Sequence, residues 1–140
     1  MIAYLDSSVV LRVILGQPGQ ISEWKSITTG VASGLVEVEC LRTIDRLHLA
    51  GRLSIEESVV RREAVYGVLE ALELVELTSA LLRRASQPMA TPLGTLDAIH
   101  LATADLWREA RGKEGGLIFA THDRGLALGA RASGFRVIGV

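Results

Sequence analysis

The amino-acid pattern predicts an α/β architecture, a small parallel sheet of about five strands sandwiched between helices. Three observations lead there. Short apolar runs alternate along the chain with longer segments of helical spacing. The short runs are apolar throughout, as strands buried on both faces are, instead of alternating with polar residues. Turn signals are spread along the chain: Gly16-Gln17-Pro18-Gly19, Gly30, Gly51, Thr91-Pro92-Leu93-Gly94, Gly112 to Gly116 and Gly134. No repeat, linker or low-complexity tract interrupts them.

The elements follow in order. Ile2 to Leu5 is an apolar run ending at Asp6 and reads as a buried strand. Ser7 to Leu15 continues as a helix that Asp6 or Ser7 can cap. Gln20 to Thr28 reads as a second short helix and Val31 to Ser33 as a short strand. Leu35 to Ala50 is a helix closed by Gly51 in the left-handed cap position. Ser54-Ile55-Glu56-Glu57 is a capping-box start, Ser followed three residues later by Glu, and opens a helix to about Leu72. Leu74 to Leu77 reads as a strand and Thr78 to Ser86 as a helix. Thr95 to Arg111 is a long helix rich in Ala and Leu. Leu117 to Ala120 is a strand, a short helix runs to Ala132, and Phe135 to Ile138 is the last strand.

Composition sets the outer limits. With 140 residues the chain suits one domain, 1–140, and is short for two. Apolar residues at 49% exclude a disordered chain. Lys+Arg 15 against Asp+Glu 16 gives a net charge of -1, so bulk attraction to nucleic acid is excluded. Any polyanion must be held at a local patch or through a metal. One cysteine, Cys40, cannot form an internal disulfide, and no Cys/His group has zinc spacing. The expected setting is therefore a reducing, cytoplasmic one. The start, MIAYLDSSVV, lacks the basic segment of a signal peptide, and no apolar run has membrane-spanning length.

In parallel sheets ligands bind beyond the carboxyl ends of the strands. Here those ends are followed by Asp6-Ser7-Ser8, by Ser33 to Glu39, and by Thr121-His122-Asp123. Each acid alone is adequately explained as a helix cap or a first-turn residue. Together they imply a carboxylate cluster, which repels itself unless a cation neutralises it. Oxygen ligands with few histidines favour Mg²⁺ or Mn²⁺. Glu37 and Glu39 lie on opposite sides of a helix, and the pattern does not choose between them. Glu39 could instead pair with Arg42 on an exposed face. Asp97 sits in the first turn of the longest helix, while Asp105, about 12 Å further along the axis, is out of reach and suits a pair with Arg108. His100 could orient Asp97 or lie on the helix surface. His48 and His122 read as surface and loop residues, Cys40 as a buried thiol, and Trp24 and Trp107 as packing residues. Arg61-Arg62 and Arg83-Arg84 read as solvated faces able to touch phosphate.

Four segments resemble the PIN-domain family, and within it the VapC-type toxins of toxin–antitoxin pairs. They are Tyr4-Leu5-Asp6-Ser7-Ser8-Val9-Val10-Leu11, then Ser33 to Arg42, then Thr95 to Ala104 with Asp97-Ala98-Ile99-His100-Leu101-Ala102, then Phe119-Ala120-Thr121-His122-Asp123. They occur in the family's order and cover nearly the whole chain. The resemblance selects Glu39 over Glu37. It implies metal-dependent cleavage of RNA, with Asp6, Glu39, Asp97 and Asp123 as the catalytic and metal-holding acids, Mg²⁺ or Mn²⁺ as the cofactor, and Ser8 and Thr121 as supporting hydroxyls. It also implies a homodimer and a small antitoxin protein as partner, with no membrane role. Two places depart from the family pattern. Gly94 stands where members often carry a basic residue, and the chain ends Ile138-Gly139-Val140 without the frequent proline.

The alternative is a non-catalytic module of the same fold that binds RNA or protein; four retained acids argue against it, because a module without a cation has no use for their repulsion. An aspartyl-phosphate enzyme built on Asp6 is disfavoured as well. Haloacid-dehalogenase-type phosphatases need an Asp two residues after the nucleophile, where Ser8 stands here. Response-regulator receivers need an Asp at the third strand's end and a Lys near the fifth, and this chain has neither.

Overall fold

A computed structural model describes residues 1–112 and 116–140; the glycine mark from 112 to 116 falls partly outside them. Five strands, β1 (Ile2–Leu5), β2 (Thr29–Ser33), β3 (Leu72–Val75), β4 (Ile118–Ala120) and β5 (Arg136–Ile138), form one parallel sheet. Their order is β3-β2-β1-β4-β5. The chain leaves β1 toward one edge through β2 and β3, then returns and builds the other edge from β4 and β5. That reversal opens a crevice at the carboxyl ends of β1 and β4.

Side chains alternate across the pleat, so the sheet has two cores. Ala3, Leu5, Ala32 and Ala120 face one side, where α1 (Ser7–Ile14), α2 (Leu35–Leu49) and α3 (Ile55–Glu70) supply Val10, Val36, Ile44 and Val65. Tyr4, Val31 and Phe119 face the other, against α5 (Thr95–Arg111) and α6 (Arg124–Ala132), which supply Leu101, Trp107, Leu126 and Ala130. The short α4 (Ser79–Ala85) is fixed by Leu81, which packs with Leu35 and Ile99. The result is a helix–sheet–helix sandwich. No helix among the described residues is long and apolar enough to cross a membrane.

Local signals set the helix ends. Ser54 Oγ accepts from the Glu57 N–H while Glu57 Oε1 accepts from the Ser54 N–H, so the capping box at α3 is complete. Gly51 closes α2 at φ 73°, a conformation that favours glycine.

Three elements differ from expectation. Residues 20–28 make only a 3₁₀ turn over Ser22–Ser26, held by Trp24 N–H to Ile21 O and Ile27 N–H to Trp24 O, both 3.3 Å. Burial of Ile21 and the Thr28 N–H bond to Met1 O at 2.9 Å draw the chain out of a helix and into β2. That strand accordingly begins at Thr29, two residues early, opposite Ile2. The third strand occupies 72–75 instead of 74–77, because α3 ends at Glu70 and Leu72 pairs with Gly30. Leu72 fills the space a side chain at Gly30 would need. The apolar look of 74–77 misleads, since Leu74 and Leu77 are exposed.

Candidate metal and active site

Asp6 is the first residue beyond β1 and is 5% exposed. It occupies the cap position of α1, yet its side chain makes no cap bond. Its Oδ2 instead accepts from Ser8 Oγ at 2.5 Å and from Thr121 Oγ1 at 2.9 Å. Ser8 comes from the first turn of α1 and Thr121 from the end of β4, so the hydroxyls link both sides of the crevice to one carboxylate. Each hydroxyl oxygen also accepts a backbone N–H from the β4–α6 loop: His122 N–H to Ser8 Oγ at 3.0 Å, and Asp123 N–H to Thr121 Oγ1 at 3.0 Å.

Glu39 lies in the second turn of α2 with its side chain 18% exposed. Its Oε2 accepts from His100 Nε2 at 2.8 Å. The exposed pairing with Arg42 is not adopted; Arg42 pairs with Asp45 at 2.8 Å instead. Glu37 is exposed and points elsewhere. His100 departs from both readings offered for it. It is 1% exposed and bonds neither Asp97 nor solvent-facing groups. Its Nε2 also stands 3.5 Å from Asp6 Oδ1, and its Nδ1 lies 2.8 Å from the Tyr4 hydroxyl oxygen. Burial opposes the charged imidazole, but the Glu39 hydrogen bond and the charges of Asp6, Glu39 and Asp97 outweigh it and raise the His100 pKa.

Asp97 sits in the first turn of α5, half-buried. Burial, then the charges of Asp123 and Asp6, then that of Glu39, push its carboxyl above the ordinary range, against a smaller lowering by His100. Asp123 caps α6, its Oδ1 accepting from the Leu126 N–H at 2.7 Å, so one of its oxygens serves the helix. The structure therefore brings Asp6, Glu39, Asp97 and Asp123, with Ser8 and Thr121, to the same edge of the sheet. As the side chains lie, no three His, Cys, Asp or Glu among the described residues already form a metal-holding group. The donor set nevertheless fits a hard divalent cation: carboxylates only, mutually repulsive, with no Arg or Lys ion-paired to Asp6, Glu39, Asp97 or Asp123 among the described residues.

Beside Glu39 runs a groove of about 440 Å³. Leu11, Leu35, Val38 and Leu96 give it an apolar floor, and Arg42 and Arg46 stand on its rim. Arg46 Nη2 donates to Thr43 Oγ1 at 2.9 Å and makes no ion pair among the described residues.

The other singled-out residues lie apart from the site or serve packing. Cys40 is buried, and its thiol is pushed up to about 12 by burial and by Glu39 and Asp6. Asp105 pairs with Arg108 at 2.7 Å. Trp107 is buried and donates to Glu73 Oε1 at 2.9 Å, and Trp24 packs against the first core. Arg61 donates to Ile14 O at 2.7 Å and Arg84 pairs with Glu109 at 2.7 Å. His48 is half-buried with Nδ1 3.0 Å from Leu53 O. His122 Nδ1 lies 2.7 Å from Gly139 O, tying the chain's last strand to the site loop. Sequence reasoning missed Tyr4, which lies on β1 two residues before Asp6; only its contact with His100 of α5 singles it out.

Comparison with known proteins agrees with this fold. Over 139 residues the chain is 27% identical to the ribonuclease VapC47 of Mycobacterium tuberculosis (strain CDC 1551 / Oshkosh), covering 94% of this chain and 92% of that one. Its fold is similar to that of VapBC2 from Rickettsia felis bound to a promoter DNA fragment, with TM-score 0.67, 12% identity and 99% and 98% of the two chains covered. A toxin–antitoxin complex from Klebsiella pneumoniae gives TM-score 0.64 at 15% identity, with 91% of each chain covered. The family model described as PIN domain matches residues 3–131, and the chain belongs to that family.

Proposed function

We propose that this chain is a metal-dependent endoribonuclease, the toxin of a toxin–antitoxin pair, that hydrolyses RNA phosphodiester bonds. The observation that carries this reading is the gathering of Asp6, Glu39, Asp97 and Asp123 at the crevice, where burial and then the charges of the other three acids raise the Asp97 carboxyl. Similarity to a protein named as a ribonuclease supports the reaction class. Asp6, Glu39 and Asp97, with the free oxygen of Asp123, would hold one or two Mg²⁺ or Mn²⁺ ions. Such a cation supplies Lewis-acid polarisation of the scissile phosphate and activation of water.

The chain's own residues do the rest. Ser8 and Thr121 fix the position of Asp6 by donating to the same oxygen. Asp123 would offer the cation an oxygen, while its Oδ1 holds the start of α6 in place. Arg42 and Arg46 border the groove beside Glu39 and are placed to hold backbone phosphates of an RNA strand leaving the site. They are the available substitute for the basic residue that Gly94 replaces. A cation between acidic protein and anionic RNA also reconciles a phosphate substrate with a net charge of -1.

The similar structures named as toxin–antitoxin and VapBC complexes support a small antitoxin protein as partner. A homodimer is proposed with it on the resemblance to such toxins alone. The decisive experiment is cleavage of total RNA by the purified chain with Mg²⁺, Mn²⁺ or EDTA, beside Asp97→Asn. Discrete fragments that require metal and vanish in the variant are expected. Folded protein, free of any bound inhibitor, that cuts nothing with either metal overturns the reading in favour of a binding module.

A further inference from the structure

His100 lies outside the acid set, yet it reaches the carboxylates of two of its members. Its Nε2 is 2.8 Å from Glu39 Oε2 and 3.5 Å from Asp6 Oδ1. We propose that His100 is a positioning residue, a buried strut that aims Glu39 toward Asp6, with its ring orientation set by Tyr4. The proposal rests on the metal-dependent reading above.

The need for a strut follows from where Glu39 sits. It projects from α2, which packs on one face of the sheet, whereas Asp97 projects from α5 on the other. A glutamate has three side-chain torsions and loses considerable rotamer freedom when fixed. Cationic alternatives stand on its own helix face, Arg42 three residues on and Arg46 seven residues on. Neither takes it: Arg42 pairs with Asp45, and Arg46 bonds Thr43. The buried imidazole holds it instead, across the top of the sheet. A charge-assisted hydrogen bond shielded from water outcompetes exposed ion pairs, which water and salt weaken.

The imidazole is itself held. Tyr4 is 0% exposed and its hydroxyl oxygen lies 2.8 Å from Nδ1, while Nε2–H donates to Glu39. Tyr4 lies two residues before Asp6 on β1. A single strand thus places one acid directly and another through Tyr4 and His100. An N–H between Asp6 and Glu39 also eases the repulsion of two carboxylates aimed at one point. Partners that orient metal-holding side chains in this way are typically worth roughly 10–100-fold in metal affinity.

The test is calorimetric titration of Mn²⁺ into the metal-free full chain. Wild type is compared with His100→Leu, His100→Gln, Glu39→Gln and the double variant His100→Leu/Glu39→Gln, each checked for folding by circular dichroism. His100→Leu is expected to weaken Mn²⁺ binding roughly 10–100-fold. His100→Gln, whose amide donates from near the Nε2 position, recovers most of the loss. The double variant binds no more weakly than Glu39→Gln alone, because His100 acts through Glu39. In RNA cleavage the loss falls on kcat, with KM unchanged. Should His100→Leu fail to fold, Tyr4→Phe removes one oxygen, leaves the imidazole, and must weaken Mn²⁺ binding in the same direction. Wild-type affinity in His100→Leu, or additive losses in the double variant, overturns the role of His100 alone. Wild-type protein that takes up no Mn²⁺ overturns the metal reading and this proposal with it.

Discussion

At Asp97 the proposed function meets a physical cost. Burial and the charges of Asp123, Asp6 and Glu39 raise its pKa, so the folded state disfavours its ionised form. Between the unfolded and folded pKa values the folded chain binds more protons, so stability falls as pH rises through that window. The deficit then persists to neutral pH. In metal-free buffer at pH 7, Asp97→Asn is therefore expected to melt above wild type. The gap should close as pH drops below the ordinary carboxylate range; equal melting temperatures at pH 7 would show that the acid carries no strain. The same variant should lose more than about 100-fold in RNA cleavage, exceeding the loss typical of residues that merely orient a metal-holding group. The acids themselves were legible in the sequence, because strand ends and helix starts place Asp6, Asp97 and Asp123 by local rules. Glu39 needed the family pattern, since helical spacing left Glu37 equally eligible. His100 was not legible in its actual contacts. Its partner Glu39 lies 61 residues away on another helix.

Among the elements, α2 concentrates the most chemistry. Glu39, Arg42, Thr43 and Arg46 share one of its faces, so an acid that faces the crevice and two cations on a groove follow from a single helical repeat. Among the described residues Arg46 has no competing carboxylate, which makes it the stronger of the two proposed phosphate contacts. Replacing it with Ala should weaken RNA binding by similar amounts across sequences and reduce the slope of log K against log salt by about 0.7, the loss of one phosphate contact to a single strand. Filter binding of an RNA to the Asp97→Asn variant across a salt series measures this, and an unchanged slope would remove Arg46 from the path. In α3, Ser54→Ala breaks a complete capping box and should cost about 1 kcal/mol in urea unfolding, with cleavage per folded molecule unchanged. That start was readable because a capping box is local. The ends that shifted depend on distant partners: β3 follows Gly30, and the turn at Ser22–Ser26 follows the tie between Thr28 and Met1.

For the molecule as a whole, the strand order β3-β2-β1-β4-β5 decides everything about the site. It puts the ends of β1 and β4 side by side, so Asp6 and Thr121, 115 residues apart, share a hydrogen bond. Alternating strands and helices made the parallel sheet predictable, but the order of its strands rests on contacts between segments far apart in sequence. The price of this arrangement is a carboxylate cluster that, among the described residues, no Arg or Lys pairs with. An unfolded chain scatters those acids, so a divalent cation gains far more from the folded state than from the unfolded one. By linkage, Mn²⁺ at a hundredfold excess over its Kd should stabilise the wild-type chain by about 2.7 kcal/mol. Asp97→Asn starts from a higher metal-free melting temperature and should gain much less from Mn²⁺, so the ranking of the two proteins narrows or inverts as the metal is added. Thermal melts of both in EDTA and in Mn²⁺ read this directly. Equal gains in the two proteins would place the cation somewhere other than the crevice.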